Sequence, residues 1–134
     1  MTPQCQQAQL PVHKPAVIVV DDDPAVCNSL KFSLELEGFA VRTYRSGTQL
    51  LDSGDIRDCN CFVVDQRMPG LTGIELIAKL RQRNVLTPAI LILTDPNAAL
   101  TARAKLADIQ IVEKPLLSNA LIDSIREACA GSKN

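Results

Sequence analysis

The chain has 134 residues, 46% of them hydrophobic, with 14 Lys and Arg against 15 Asp and Glu. That length and apolar content give one domain with room for a core. The near balance of charge leaves no basic run to track a nucleic acid backbone, and no apolar stretch approaches the ~20 residues of a membrane span.

Residues 1–15 are polar and rich in Gln and Pro, with no apolar signal-peptide core, and are expected to form a disordered leader on a cytoplasmic protein. Ala16–Val20 is a short run rich in β-branched residues, which predicts a strand buried on both faces. The acidic cluster Asp21-Asp22-Asp23 follows it. Asp23 and Pro24 suit the N-cap and first position of a helix whose apolar stripe is Val26, Leu30, Leu34 and Leu36, ended by Gly38. Phe39–Tyr44 alternates as a second strand, and Ser46-Gly47-Thr48-Gln49 has capping-box spacing ahead of a short helix.

Phe62–Asp65 is expected as the third strand. Thr72-Gly73-Ile74-Glu75 is a second capping box, opening a helix with Ile74, Ile77, Ala78 and Leu80 on its inner side. Pro88–Thr94 contains Ile90-Leu91-Ile92-Leu93 and reads as a fourth, fully buried strand. Ala98–Leu106 is alanine-rich and weakly helical, and Ile109–Glu113 is a fifth strand. Leu121, Ile122 and Ile125 support a last helix, closing a domain over 16–130, with 131–134 a frayed tail or the start of a linker. Alternating strands and helices imply right-handed crossovers and an α/β doubly wound parallel sheet.

The five cysteines, Cys5, Cys27, Cys59, Cys61 and Cys129, are odd in number and include no CxxC pair, and the single histidine is His13 in the leader. Neither a disulfide framework nor a zinc site fits that inventory, and the thiols read as small buried apolar groups.

Three apolar strands deliver Asp21-Asp22, Asp65 and Lys114 to their carboxyl ends, where open parallel sheets build their sites. Clustered acids can hold a hard cation, and a lysine can neutralise a phosphoryl group. Taken separately, Asp21 and Asp22 could be solvated loop acids, Lys114 a surface lysine and Thr94 a residue closing its strand. Packing two acids beside Asp65 without a cation would be repulsive and would push a carboxylate pKa upward.

The segments Val19-Val20-Asp21-Asp22, Asp65-Gln66-Arg67-Met68-Pro69-Gly70-Leu71-Thr72-Gly73, Thr94 and Glu113-Lys114-Pro115 fall in order at the ends of predicted strands. In them the chain resembles the receiver domain of bacterial two-component response regulators, and the Asp65 segment is most similar to the FixJ-like branch that precedes a LuxR-type helix-turn-helix domain. The resemblance implies a five-stranded, flavodoxin-like sheet in strand order 2-1-3-4-5. It implies that Asp65 takes a phosphoryl group from the phosphohistidine of a sensor histidine kinase, using Mg²⁺, in a switch that regulates transcription. Asp21, Asp22, Asp65 and the main-chain carbonyl of Arg67 would serve the metal, Asp21 mostly through water. Lys114 would pair with Asp65 and then with the phosphoryl group, and Thr94 would donate its hydroxyl to a phosphoryl oxygen. The Lys114–Pro115 bond would be cis. Such a domain assists its own phosphorylation and dephosphorylation rather than acting as an enzyme on a separate substrate. It binds neither nucleic acid nor membrane, and a homodimer would form through the fourth helix and fifth strand.

Three features depart from that pattern. Thr94 is followed by Asp95 rather than a small residue, and a carboxylate beside an incoming phosphate is unfavourable unless it turns outward. The stretch from Thr94 to Lys114 is also shortened, which should trim the loop or the fourth helix. Ile111 stands on the readout face where receivers carry an aromatic ring, and isoleucine is stiff at χ1. These features motivate an alternative, a non-switching pseudo-receiver that serves as a protein-protein interaction module. An independent enzyme or flavin-binding domain lacks a glycine-rich loop after the first strand and has few aromatics to stack on a flavin.

Overall fold

The computed structural model describes residues 14–95, 97–114 and 119–131. Most of the expected leader, Pro96, the Lys114–Pro115 bond and residues 132–134 lie outside the described residues. In chain order the elements are β1 (Ala16–Val20), α1 (Pro24–Leu36), β2 (Ala40–Tyr44), α2 (Gly47–Ser53), β3 (Cys61–Asp65), α3 (Gly73–Gln82), β4 (Ala89–Leu93), α4 (Ala98–Leu106), β5 (Gln110–Glu113) and α5 (Ala120–Gly131). All five strands pair in parallel, in the order β2-β1-β3-β4-β5, which is the expected flavodoxin-like order. No helix among the described residues is long and apolar enough to cross a membrane.

The unbroken apolar runs are the central strands, where helices cover both faces, and the edge strands β2 and β5 expose part of their residues. One core layer joins Ile18, Val20, Phe62, Val64 and Leu91 to Leu50, Leu76, Ile77 and Leu80 of α2 and α3. The other joins Val17, Val19, Val63, Ile90 and Ile92 to Leu30 and Leu34 of α1 and Leu121 and Ile125 of α5. Each large aliphatic or aromatic side chain fully buried there contributes about 1.5–3 kcal/mol, and together they fix the strand ends that carry the polar residues.

Several expected boundaries and faces move, each for a local reason. Phe39 does not open the second strand. It is buried, and its N–H donates to the Leu34 carbonyl at 3.1 Å, closing α1 behind the left-handed Gly38. Ile109 closes α4 in the same way, donating to the Ala104 carbonyl at 2.8 Å after Asp108 takes a positive φ of 58°. Pro88 has no N–H to give, and the fourth strand begins at Ala89 and ends at Leu93, one residue before the exposed Thr94. The inner stripe of α1 runs through Cys27, Leu30 and Leu34, leaving Leu36 exposed, and that of α3 includes Leu76 in place of the exposed Ala78.

Candidate functional site

Parallel pairing puts every strand's carboxyl end on one rim of the sheet, and the charged residues gather there. Asp21 follows β1, Asp65 is the last residue of β3 and pairs in register with Ile92, and Lys114 follows β5. Backbone bonds carry the ladder past the strands, from Asp21 N–H to the Tyr44 carbonyl at 3.0 Å and from Lys114 N–H to the Leu93 carbonyl at 2.8 Å. The side chains therefore leave a fixed backbone.

Asp21 and Asp65 are only 2% and 3% exposed, the two buried charged residues among those described, while Asp22 is exposed. One carboxylate oxygen from each of the three lies within 4.8 Å of the others. Lys114 Nζ stands 3.2 Å from Asp65 Oδ1 and 3.9 Å from Asp21 Oδ2. Neither oxygen receives a well-aligned hydrogen bond, so each relies on the ammonium alone. Burial pushes the Asp65 carboxyl above its ordinary pKa, Lys114 opposes that shift, and the Asp22 charge adds to it. Burial likewise raises Asp21, where the Asp23 N–H and Lys114 oppose and the Asp65 and Asp22 charges add. Three carboxylates against one ammonium leave two formal negative charges in the cluster (3 − 1 = 2). Two buried oxygens short of donors, in an all-oxygen acidic set, fit a hard divalent cation better than a softer metal.

Asp23 stays outside this cluster. Its carboxylate accepts from Ala25 N–H at 2.9 Å as the N-cap of α1, and its own N–H donates to Asp21 Oδ1 at 2.9 Å. The Asp23 N–H thus orients the Asp21 carboxylate before it.

Two residues that support the end of β3 were not legible in that role from the sequence. Gln66 Oε1 accepts from Ile74 N–H at 2.8 Å, and the Gln66 carbonyl accepts from Gly73 N–H at 3.1 Å, which folds the loop 67–72 back onto the end of β3. Thr72 then caps α3 through the expected reciprocal bonds with Glu75. Gly73 packs against Asp65 itself: a Cβ there would stand 2.6 Å from the Asp65 carbonyl oxygen and 2.9 Å from Gln66 Cα. Only a residue without a side chain lets α3 start this close to Asp65.

Beside the cluster runs an open groove of about 610 Å³, lined among others by Asp22, Arg67, Met68, Thr94, Asp95 and Leu100. Thr94 is exposed on its wall. Asp95 turns outward, its Oδ2 3.8 Å from Arg67 Nη2, with both side chains 76% exposed. Ile111 is half-buried on β5, opposite Leu91, and packs with Leu100 of α4 against the core.

Comparison with known proteins gives a consistent result. The profile of the response regulator receiver domain matches residues 17–126. The transcriptional regulatory protein FixJ of Azorhizobium caulinodans is 38% identical over 124 residues, covering 92% of this chain and 56% of that protein. The C4-dicarboxylate transport transcriptional regulatory protein DctD of Pseudomonas aeruginosa is 37% identical, with 84% and 24% covered. The crystal structure of FixJ-N superposes with a TM-score of 0.80 at 29% identity, covering 89% of this chain and 96% of that one. The chain thus spans about half the length of FixJ and a quarter of DctD.

Proposed function

The chain belongs to the response regulator receiver family, and from that premise we propose that it is a phosphorylation switch whose acceptor is Asp65. The observation that carries the proposal is the Lys114 ammonium 3.2 Å from a buried Asp65 oxygen, beside two further carboxylates. The partner is a sensor histidine kinase acting in the cytoplasm. An Asp65 oxygen attacks the phosphorus of a phosphohistidine, the O–P bond forms as the N–P bond breaks, and the imidazole nitrogen leaves with the electron pair and is reprotonated. Lys114 holds the attacking carboxylate in place and then meets the transferred oxygens, and the Thr94 hydroxyl donates to one of them. Asp21, Asp22, Asp65 and the Arg67 main-chain carbonyl would hold Mg²⁺, which when bound offsets negative charge on the phosphoryl group. The domain changes its own state by this chemistry and turns over no separate substrate.

The new dianion is read out on α4 and β5. Of the α4 residues only Ala104 is buried, Leu106 is 90% exposed, and β5 is an edge strand, so this face is loosely tied to the core. We assign homodimerisation to it, and regulation of transcription as the output, the role named for the FixJ and DctD relatives. The pseudo-receiver alternative keeps the shortened stretch between Thr94 and Lys114 and Ile111 as its support, while Asp95 stands 3.8 Å from Arg67.

Beryllofluoride with Mg²⁺ mimics the phosphoryl state and tests the switch. Amide resonances of α4 and β5 are expected to shift along with those beside Asp65. Shifts confined to residues next to Asp65 would leave a phosphate acceptor with no readout.

A further inference from the structure

Asp95 has no part in the reaction described above, yet it stands at the mouth of the groove that a phosphoryl donor must enter. Its partner Arg67 lies two residues beyond the acceptor Asp65, and Asp95 lies one residue beyond Thr94. The 3.8 Å contact between them therefore bridges the loops leaving β3 and β4, the two adjacent strands that present these groups. Arg67 and Asp95 line the same groove as Asp22 and Thr94. The arrangement pairs the one guanidinium on this stretch of the loop after β3 with a carboxylate of the loop after β4, within that groove. An arginine two residues from the acceptor would otherwise be a natural fork for phosphoryl oxygens.

We propose that Asp95 is a positioning residue that engages the Arg67 guanidinium and so keeps it from phosphoryl oxygens, slowing acceptance from small free phosphoryl donors such as acyl phosphates. A phosphohistidine carried on a protein brings its own docking contacts and depends less on a loose cation at the mouth. The inference rests on Asp65 being the phosphoryl acceptor. With acetyl phosphate the O–P bond to Asp65 forms as the P–O bond of the donor breaks, and acetate leaves with the electron pair.

The test is the rate of phosphoryl gain from acetyl phosphate and Mg²⁺, followed by intact mass, for the wild type, Asp95→Ala, Arg67→Ala and the double variant. Both side chains are exposed, and melting curves check that each variant is folded. An exposed ion pair is weak, so Asp95→Ala is expected to accelerate the reaction by roughly two- to five-fold at low salt. That gain should shrink toward one as salt screens the pair, and it should vanish in the Arg67→Ala background. An Asp95→Ala variant that reacts at the wild-type rate overturns the proposal. So does an acceleration that persists undiminished without Arg67, because Asp95 would then act by direct repulsion. If no variant gains a phosphoryl group at all, the acceptor reading itself has failed, an outcome separate from either of these.

Discussion

Asp65→Asn is expected to melt at a higher temperature than the wild type at neutral pH in the presence of a chelator. Asp65 is 3% exposed, and its Oδ1 receives no well-aligned hydrogen bond. The unmet desolvation of such a group costs ~1–3 kcal/mol, and the neutral amide relieves it while Lys114 keeps Asp21 as a partner at 3.9 Å. The expected gain is about 1–2 kcal/mol, or roughly 3–8 °C at this chain length. Its pH dependence has a definite sign. Burial raises the folded pKa of Asp65 above its unfolded value of about 3.9, so the proton is held more tightly in the folded state. That contribution to stability is fully present below the unfolded pKa and is lost as pH rises through the higher folded value. The advantage of asparagine should therefore be absent in acid, grow with pH above about 4, and level off once Asp65 is ionised in the folded protein. Mg²⁺ supplies the missing counter-charge to the wild type and should close the gap. Scanning fluorimetry across pH, with and without Mg²⁺, reads both effects. A variant no more stable than the wild type in chelator at neutral pH would remove the electrostatic description of the cluster.

Lys114→Ala acts in the opposite direction. Its ammonium, 27% exposed at the side chain, is the cation in ion-pair range of Asp65 and Asp21 among the described residues. Removing one partner of a buried pair strands the other charge at a cost of about 3–5 kcal/mol, and the partly exposed ammonium here brings the expected loss nearer ~2 kcal/mol. Phosphoryl acceptance should suffer more than stability. In the proposed reaction Lys114 would both orient the attacking carboxylate and meet the charge on the transferred group, and loss of one such preorganised donor lowers rates by about 10²–10³-fold. Mg²⁺ affinity should be retained or increase, because a competing positive charge has left the carboxylates. Urea unfolding, single-turnover phosphorylation and Mg²⁺ titration separate these three effects. A wild-type phosphorylation rate in Lys114→Ala would deny the lysine its role.

The convergence of Asp21, Asp22, Asp65 and Lys114 was legible in the sequence because it depends on a simple rule. Runs such as Val17–Val20 and Phe62–Val64 are too apolar to face water on either side, which makes them central parallel strands with their polar ends on one rim. Positions set by packing between distant segments were less legible. Phe39 and Ile109 look like first strand residues but are spent on closing α1 and α4, and an apolar residue beside a left-handed one carries the same local signal in either role. The inner stripe of α1 took in Cys27 beside the half-buried Val26, and that of α3 took in Leu76 rather than Ala78, because Cys27 and Leu76 are equally able to enter the core. Gly73 could be read as part of a cap, but its closeness to the Asp65 carbonyl depends on how α3 docks against β3 and β4. Asp95 read as an obstruction for the same reason: its distance from Arg67 is a property of two loops 28 positions apart in the chain (95 − 67 = 28), and only the strand order brings them together.

The most direct test of the account is to locate the phosphoryl group. The protein is incubated with Mg²⁺ and acetyl phosphate, then reduced with borohydride, which converts an acyl phosphate to the corresponding alcohol, and the product is mapped by peptide mass. The account predicts homoserine at position 65 alone, with none formed in Asp65→Asn. Reduction at Asp21, Asp22 or another carboxylate in the wild type, or an unchanged Asp65, would contradict it.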